Sequence, residues 1–287
     1  MAPFVKVVTL VGAGTQGTRL AFMWSKLGRP VHLVDQNEKR LQDAVNEIQK
    51  LRRDWPVAST LTPFGNIVTF PSLGLIKSIA NSWLIVECVP ESLALKKRLI
   101  GELDAIAQSG TIIASNSSSY TISEILQDLN LRHPERCVSL HSYWPPETSA
   151  IEVMGSGSTR SDIIPLLMEE CRSHGFQPFH VRSSSTGYIY NRIWAAIKRE
   201  SLLVLAEGVA NPQELDAIFK DVLKSPKGPC EQMDIVGLDV VYDIEKHYCE
   251  IRPGLPKEAT ELLEKMIVRN KLGVKSGSGF YDYSNHK

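Results

Sequence analysis

The chain has 287 residues, and its 32 basic and 32 acidic side chains give a formal net charge of zero. Because the basic residues are scattered, the charge pattern argues against a nucleic acid or a membrane surface as the main partner. No apolar run approaches the length of a membrane span. Five cysteines without a Cys-x-x-Cys pair indicate reduced thiols, and we expect no metal site. Since the first residues lead almost directly into a strand, we expect no signal peptide and a cytoplasmic location.

A β-rich run over 7–11 leads into Gly12, Gly14 and Gly17 and then into an amphipathic segment. This is the strand, glycine turn and helix of a dinucleotide site. Gly12 would permit the tight turn, Gly14 would let the backbone approach a pyrophosphate, and Gly17 would let the helix pack closely. A second apolar run ends in Asp35, where a carboxylate would accept from a ribose hydroxyl and repel a 2′-phosphate. The pattern therefore predicts NAD rather than NADP.

Strand and helix patterns then alternate along the chain. Strands are predicted at 31–34, 66–70, 83–89, 111–115, 137–141, 150–153 and 177–181, and helices near 37–53, 72–79, 93–107, 122–129 and 162–175. This alternation predicts an α/β domain with a doubly wound, mostly parallel sheet over residues 1–184. From Thr186 the pattern changes, and helices are predicted at 190–209, 212–222, 233–248 and 256–268. Residues 185–287 are therefore expected to form an all-α C-terminal domain.

Polar side chains follow the ends of several predicted elements, among them Ser118, His141, Glu152 and Asn191. A hydroxyl oxidised by hydride transfer must lose a proton, and histidine titrates in the range that such a base needs. A carboxylate on its second nitrogen would orient the ring, while serine and asparagine would hold the reacting oxygen. Taken singly, His141 also fits a structural histidine and Glu152 a solvated strand residue.

Dispersed sequence motifs occur in a recognisable order. They are Val-Gly-Ala-Gly-Thr-Gln-Gly at 11–17, Val-Asp-Gln at 34–36, Ala-Ser-Asn-Ser-Ser-Ser at 114–119, His141 with Pro145, Ile-Glu-Val at 151–153, Gly-Tyr-Ile-Tyr-Asn-Arg at 187–192, Ala-Glu-Gly at 206–208, Lys-Gly-Pro at 227–229, Val-Gly-Leu-Asp at 236–239 and Gly-Val-Lys-Ser-Gly-Ser-Gly-Phe-Tyr-Asp-Tyr at 273–283. With these motifs the chain resembles the L-3-hydroxyacyl-CoA dehydrogenase family over essentially its whole length.

The resemblance implies a Rossmann-type domain that binds NAD, followed by a helical domain for substrate and dimer contacts that usually makes a homodimer. It implies His141 as the acid/base, Glu152 as its orienting partner, and Ser118 and Asn191 as contacts of the reacting oxygen. The expected reaction interconverts an L-3-hydroxyacyl-CoA, or a related 3-hydroxy compound, and its 3-oxo form in fatty acid metabolism. The residues expected to contact the cofactor are Gly12, Gly14, Thr15, Gln16, Gly17, Asp35, Gln36, Glu91, Lys96 and Asn116.

Some segments depart from the family pattern. The family's His-Phe-Phe-Asn-Pro is His-Ser-Tyr-Trp-Pro at 141–145, and the step from histidine to glutamate is one residue shorter. Ser184 and Thr186 stand where an acidic residue and a proline are usual. The altered Trp144 and Thr186 would either reshape the pocket or only repack it.

The segment between Asp35 and the strand at 83–89 is also shorter than in typical acyl-CoA members, where it carries a helical hairpin that contacts CoA. Its charged remnant is Lys50, Arg52 and Arg53, which fit either a phosphate contact or a solvated helix end. We therefore expect weaker CoA binding or another 3-hydroxy substrate, such as the free hydroxy acid of L-gulonate 3-dehydrogenases. A noncatalytic, crystallin-like NAD-binding protein is the remaining alternative.

Overall fold

The fold is taken from a computed structural model that describes residues 7–55 and 62–284. Contacts within the chain divide it into two compact units, with the division between Ile189 and Tyr190. The first unit holds all the strands of the described chain, and the second is helical. Each unit has its own buried apolar core.

The first unit is built on one eight-stranded sheet in the order β3-β2-β1-β4-β5-β6-β7-β8. Its strands are β1 (Val7–Val11), β2 (Val31–Asp35), β3 (Ile67–Pro71), β4 (Ser82–Glu87), β5 (Ile112–Ser115), β6 (Cys137–Ser142), β7 (Ala150–Gly155) and β8 (Gln177–His180). Neighbouring strands run parallel except β6 and β7, which are antiparallel. The predicted doubly wound, mostly parallel sheet is confirmed.

Helices cover both faces of this sheet. They are α1 (Thr15–Trp24), α2 (Glu38–Asp54), α3 (Leu75–Ile79), α4 (Leu93–Ile106), α5 (Ile122–Leu126) and α6 (Ile163–Ser173). One core contains buried side chains of α1, α2 and α6, and the other contains those of α3, α4 and α5. Because alternate strand residues point to opposite faces, Leu10 of β1 joins the first core and Val11 the second.

The carboxyl ends of β1 and β4 lie side by side at the point where the strand order reverses. From β1 the chain proceeds outward to β2 and β3, and it then returns to the other side of β1 as β4. Connections that leave in opposite directions open a crevice between two neighbouring strands, and ligands of such sheets bind there. The glycine turn follows β1 directly, so the topology places it at this crevice.

The second unit contains five helices in the described chain, α7 (Tyr190–Ala206), α8 (Pro212–Leu223), α9 (Pro229–Val236), α10 (Leu238–Ile251) and α11 (Glu258–Val268). The prediction of one helix over 233–248 was wrong, since α9 and α10 are separate. Gly237 divides them with a φ of +104°, and a Cβ there would lie 2.8 Å from Nζ of Lys275. This backbone geometry suits glycine and redirects the chain.

Two other features bear on the sequence predictions. Helix α2 ends at Asp54, one residue beyond the predicted range of 37–53, and residues 56–61 lie outside the described residues. Among the residues that the structure describes, none of the helices combines the length and the apolar character needed to cross a bilayer.

Candidate active site

The glycine turn has the geometry that the sequence predicted for a phosphate cradle. Gly12 has a φ of +112°, and a Cβ there would lie 2.5 Å from the carbonyl oxygen of Cys88. A Cβ on Gly17 would lie 1.8 Å from the carbonyl oxygen of Gly12, so only glycine lets α1 begin this close to the turn. Gly14 precedes α1 without a side-chain cap and faces open space, which leaves the first N–H groups of the helix available to an anion.

A groove of about 500 Å³ runs from this turn past the end of β2. Gly12, Gly14, Thr15 and Gln16 line one part of it, and Asp35, Gln36 and Arg40 line another. The Asp35 carboxylate accepts hydrogen bonds from the backbone N–H groups of Ala13 at 2.8 Å and Asn37 at 2.9 Å. These two bonds fix its orientation. A carboxylate retains further lone pairs for a ribose hydroxyl. The glycine cradle and the fixed acid together fit an NAD molecule.

A second cavity of about 290 Å³ lies beside the groove. Gln16, Cys88 and Val89 line both cavities. The remaining lining residues of the second cavity are Glu91, Lys96, Asn116, Ser118, His141, Ser142 and Tyr143. The structure thus brings most of the predicted cofactor and catalytic residues of the first unit together around two adjoining spaces.

His141 and Glu152 face each other across the antiparallel pair of β6 and β7, where they are register partners. Nδ1 of His141 lies 3.1 Å from Oε2 of Glu152, and the two side chains are each 3% exposed. Glu152 is therefore not a solvated strand residue. The step between the two residues is one residue shorter than in the family pattern, and the register of β6 and β7 still pairs them.

Hydrogen-bond donors from several elements surround the Glu152 carboxylate. Besides His141, the Tyr143 hydroxyl donates to Oε2 at 2.5 Å, and the N–H of Ile189 donates to Oε1 at 2.9 Å. Burial raises the pKa of Glu152, but hydrogen bonds from His141, Tyr143 and Ile189 outweigh burial and leave the pKa below its ordinary value. Because an ionised carboxylate only accepts hydrogen bonds, Nδ1 of His141 donates the hydrogen bond to Glu152, and Nε2 is the ring nitrogen that this pair does not use.

Two tyrosine rings enclose the His141 ring. Tyr188 stacks on it with centroids 4.6 Å apart at 10°, and Tyr143 packs edge-on at 4.7 Å and 72°. The Tyr188 hydroxyl donates to the carbonyl of Ser117 at 2.8 Å. Our sequence reasoning gave neither tyrosine a role. The available signal was the replacement of phenylalanine by tyrosine in two motifs, but a motif does not show which acceptor a hydroxyl reaches.

Lys96 and Glu91 belong to an ionic network in which Lys96 is buried and the Glu91 side chain is 36% exposed. Nζ of Lys96 lies 2.8 Å from Glu87 and 3.2 Å from Glu91, and its side chain is 1% exposed. Burial lowers the pKa of Lys96, but the two carboxylates outweigh burial and raise it above its ordinary value. Burial raises the pKa of Glu91, but Lys96 and a 2.5 Å hydrogen bond from Ser117 bring it below its ordinary value. Glu87, which the sequence reasoning missed, is the fully buried member.

Asn116 and Gln16 hold the backbone beside His141. Oδ1 of Asn116 accepts from the N–H of Ser142 at 2.9 Å and from its hydroxyl at 2.8 Å. Nε2 of Gln16 donates to the carbonyl of Tyr143 at 2.6 Å, which connects the start of α1 to the loop after β6. Ser118 lines the cavity beside His141, and its contact with the reacting oxygen stays a prediction. Asn191 lies in the first turn of α7, in the second unit, and its role stays a prediction.

The segments that depart from the family pattern have defined environments. Ser184 and Thr186 line another cavity, together with Thr121 and Ser156. Trp144 is 47% exposed, and the Arg19 guanidinium lies 4.2 Å from its ring centroid. These contacts show where the altered side chains lie.

Comparison with known proteins identifies the family of both parts of the chain. Residues 7–184 match the family model for the NAD binding domain of 3-hydroxyacyl-CoA dehydrogenase, and residues 187–283 match its C-terminal domain. The chain is 30% identical over 288 residues to the 3-hydroxyadipyl-CoA dehydrogenase of Escherichia coli (strain K12), covering 97% of this chain and 59% of that protein. It is 29% identical over 290 residues to the mitochondrial hydroxyacyl-coenzyme A dehydrogenase of Mus musculus, covering 97% and 91% of the two chains.

A solved structure is similar to this chain over nearly its whole length. The (S)-3-hydroxybutyryl-CoA dehydrogenase of Ralstonia eutropha aligns with a TM-score of 0.85 and 26% identity, covering 98% of this chain and 100% of that chain. The fold and the glycine turn define the first unit as an NAD-binding domain of the dehydrogenase class. The chain belongs to the 3-hydroxyacyl-CoA dehydrogenase family, whose members are NAD-dependent oxidoreductases.

Proposed function

We propose that this chain is an NAD-dependent dehydrogenase that interconverts an L-3-hydroxyacyl-CoA and its 3-oxo form, with His141 as the acid/base. The observation that carries the proposal is the buried His141 and Glu152 pair, which borders a cavity adjoining the dinucleotide groove. In the same proposal, residues 1–184 bind NAD and residues 185–287 supply substrate and dimer contacts.

Each side chain then has a defined task. Nε2 of His141 accepts the substrate's hydroxyl proton during oxidation and returns it during reduction, while the ionised Glu152 stabilises the imidazolium. Ser118 and Asn191 donate to the reacting oxygen. The Gly12 to Gly17 turn and Asp35 hold the dinucleotide, which when bound accepts a hydride from the hydroxyl carbon or, in its reduced form, returns one. Glu91 and Lys96 border the same cavity and orient the groups bound there.

The direct test is NADH consumption by the purified chain with acetoacetyl-CoA. We expect turnover by the wild type and a loss of roughly 10²- to 10⁴-fold in kcat for His141→Ala, because the proton donor is removed. NADH affinity, measured by titration calorimetry, is expected to stay unchanged. A His141→Ala enzyme that retains wild-type kcat would contradict the acid/base assignment.

The matched control is His133→Ala. His133 also pairs with a carboxylate, Glu135, at 3.2 Å, but both side chains are 39% exposed. This substitution removes an imidazole of the same type from a half-exposed pair, and we expect kcat to be unchanged. If both variants lost activity equally, the loss would reflect a general effect of the substitution.

One observation favours the alternative of a free 3-hydroxy acid as the substrate. Nη2 of Arg52 donates to the carbonyl of Gly65 at 2.6 Å, and its guanidinium lies 5.0 Å from the Phe64 ring centroid. Burial lowers the pKa of Arg52 from its ordinary value. Arg52, one of the three cations of the short segment, therefore serves internal structure instead of a CoA phosphate. The retained His141 and Glu152 pair argues against a noncatalytic, crystallin-like role.

The substrate alternatives differ in their kinetics. If CoA is recognised, KM for acetoacetyl-CoA is far below KM for free acetoacetate, and free CoA binds in titration calorimetry. If a free acid is the substrate, acetoacetate or another free 3-oxo acid is reduced at least as efficiently as the thioester. A micromolar KM for acetoacetyl-CoA would exclude weakened CoA binding.

We also propose a homodimer and a cytoplasmic location. The helical unit exposes large apolar side chains, which include Tyr190 and Ile193 on α7 and Ile218 and Val222 on α8. An exposed apolar face of this kind favours a protein partner, here a second copy. All five cysteines are free thiols, which favours a reducing compartment. Fractionation of the source cells tests the location, and recovery in organelles would contradict it.

A further inference from the structure

Two donors converge on a single oxygen at the centre of the site. Oε2 of Glu152 lies 3.1 Å from Nδ1 of His141 and 2.5 Å from the Tyr143 hydroxyl. The other oxygen, Oε1, accepts the N–H of Ile189. His141 therefore shares its carboxylate oxygen with a phenol. Tyr143 stands where the family pattern has phenylalanine, so the hydroxyl is a departure of this chain.

The shared oxygen has a consequence for proton affinity. A hydrogen bond to an ionised carboxylate disperses part of its negative charge, and short bonds of this type are strong. The hydrogen bond from the Tyr143 hydroxyl thus reduces the negative charge on Oε2 of Glu152 that stabilises a protonated His141 ring. The hydroxyl and the imidazole compete for one acceptor, and this competition weakens the pull of Glu152 on the ring.

We propose that Tyr143 is a positioning residue that sets the proton affinity of His141 through Glu152, an inference that rests on the proposed function. The Tyr143 hydroxyl acts on His141 by way of the carboxylate. The titratable side chains that face His141 or line its cavity in the described chain are Glu152, Tyr143, Tyr188, Glu91, Lys96 and Cys88. Among these, Tyr143 donates to the same oxygen that His141 uses.

The sign of the effect follows from the geometry. Tyr143→Phe removes the hydroxyl and leaves the ring, so Oε2 of Glu152 loses the donor that competes with Nδ1 of His141. The imidazolium is then better stabilised, and the pKa of His141 rises by roughly 0.5 to 1 unit. In the reduction direction His141 must be protonated, so the high-pH limb of kcat/KM moves upward by the same amount.

The experiment is an NMR titration of the full chain with ¹³C-labelled histidine, in which His141→Gln identifies the His141 signal among the seven histidines. It needs no turnover, so it remains decisive even if the proposed activity fails in the acetoacetyl-CoA assay. The matched control is Tyr242→Phe, because Tyr242 donates to Glu264 at 2.6 Å on the exposed surface of the helical unit. We expect the His141 pKa to rise in Tyr143→Phe and to stay unchanged in Tyr242→Phe.

A second variant keeps the proposal testable if Tyr143→Phe does not fold. Placing 3-fluorotyrosine at position 143 makes the phenol a stronger donor, so the pKa of His141 should fall below the wild-type value. Opposite shifts in the two variants would establish the role of the hydroxyl. An unchanged His141 pKa, or shifts of the same sign in both, would overturn the proposal.

Discussion

At the scale of single residues, His174 shows how burial couples one imidazole to stability. The side chain is fully buried, and its ring centroid lies 4.7 Å from that of Trp24. Nδ1 donates to the carbonyl of Glu170 at 2.8 Å, and Nε2 has no hydrogen-bond partner among the described residues. Burial lowers the pKa of His174 to about 4. Between about pH 4 and pH 6.5, His174 is therefore neutral in the folded chain and protonated in the unfolded chain.

This pKa predicts a loss of stability in acid. As pH falls below the unfolded value of about 6.5, the unfolded chain gains a proton, and the loss continues until the folded pKa is reached. We expect protonation of His174 in the unfolded chain to lower the free energy of unfolding by about 3 kcal/mol as pH falls from about 7 to about 4. Urea unfolding of wild type and His174→Asn across this range measures the effect. The variant should lose less stability, and parallel curves would contradict the prediction.

Single residues also show what the sequence does and does not reveal about the site. His141 and Glu152 were predicted through the resemblance to the dehydrogenase family, because taken singly each also fitted a structural role, and the structure pairs them. The contacts of Tyr143 and Tyr188 were not predictable, because they depend on where side chains far apart in the chain point after packing. The catalytic roles of these residues stay predictions until they are measured.

At the scale of elements, the glycine turn contains one glycine that the fold requires and one that we expect the cofactor to require. Gly17 is needed by the fold, since a Cβ there would lie 1.8 Å from the Gly12 carbonyl oxygen. Gly14 has a φ of −72°, and a Cβ added there would meet no neighbouring atom within 4 Å, so the protein alone tolerates alanine at this position. A methyl group at Gly14 would instead occupy space that the dinucleotide phosphates need.

The two glycines should therefore respond differently to alanine. Gly17→Ala is expected to cost at least about 2 kcal/mol of stability, because backbone must move. Gly14→Ala is expected to fold normally and to raise the Kd for NADH about tenfold or more. Thermal unfolding and NADH titration measure both. Gly101→Ala, in open space on α4, is the control and should leave NADH affinity unchanged. Tight NADH binding by Gly14→Ala would count against the phosphate cradle.

Element boundaries in the two units were predictable to different degrees. Several strands of the first unit contain a short apolar run bounded by polar residues, as β4 does, and they alternate with helical patterns, so their order along the chain was clear. In the helical unit, the periodicity of α9 and α10 continues across Gly237, and the pattern alone predicted one helix. The break depends on a positive φ, which the identity of a glycine permits but does not require.

At the scale of the whole molecule, the proposed dimer makes the exposed face of α8 a test site. Ile218, Val222 and Leu223 are between 60% and 68% exposed. We expect Val222→Glu to convert the dimer to a monomer in sedimentation velocity, because a charge would be buried at the interface. Val268→Glu makes the same change at an 87% exposed site on α11 and should leave the dimer intact. A wild-type monomer would refute the proposed homodimer.

The antiparallel pairing of β6 and β7 has an evolutionary consequence. The register of the two strands places His141 opposite Glu152 although the step between them is one residue shorter than in the family pattern. Under the proposed function, the connection over residues 143–149, which begins at the cavity-lining Tyr143, can therefore change its side chains while the pair stays in place. A lineage with this arrangement would exchange one hydroxy substrate for another by altering a loop instead of by rebuilding its chemistry.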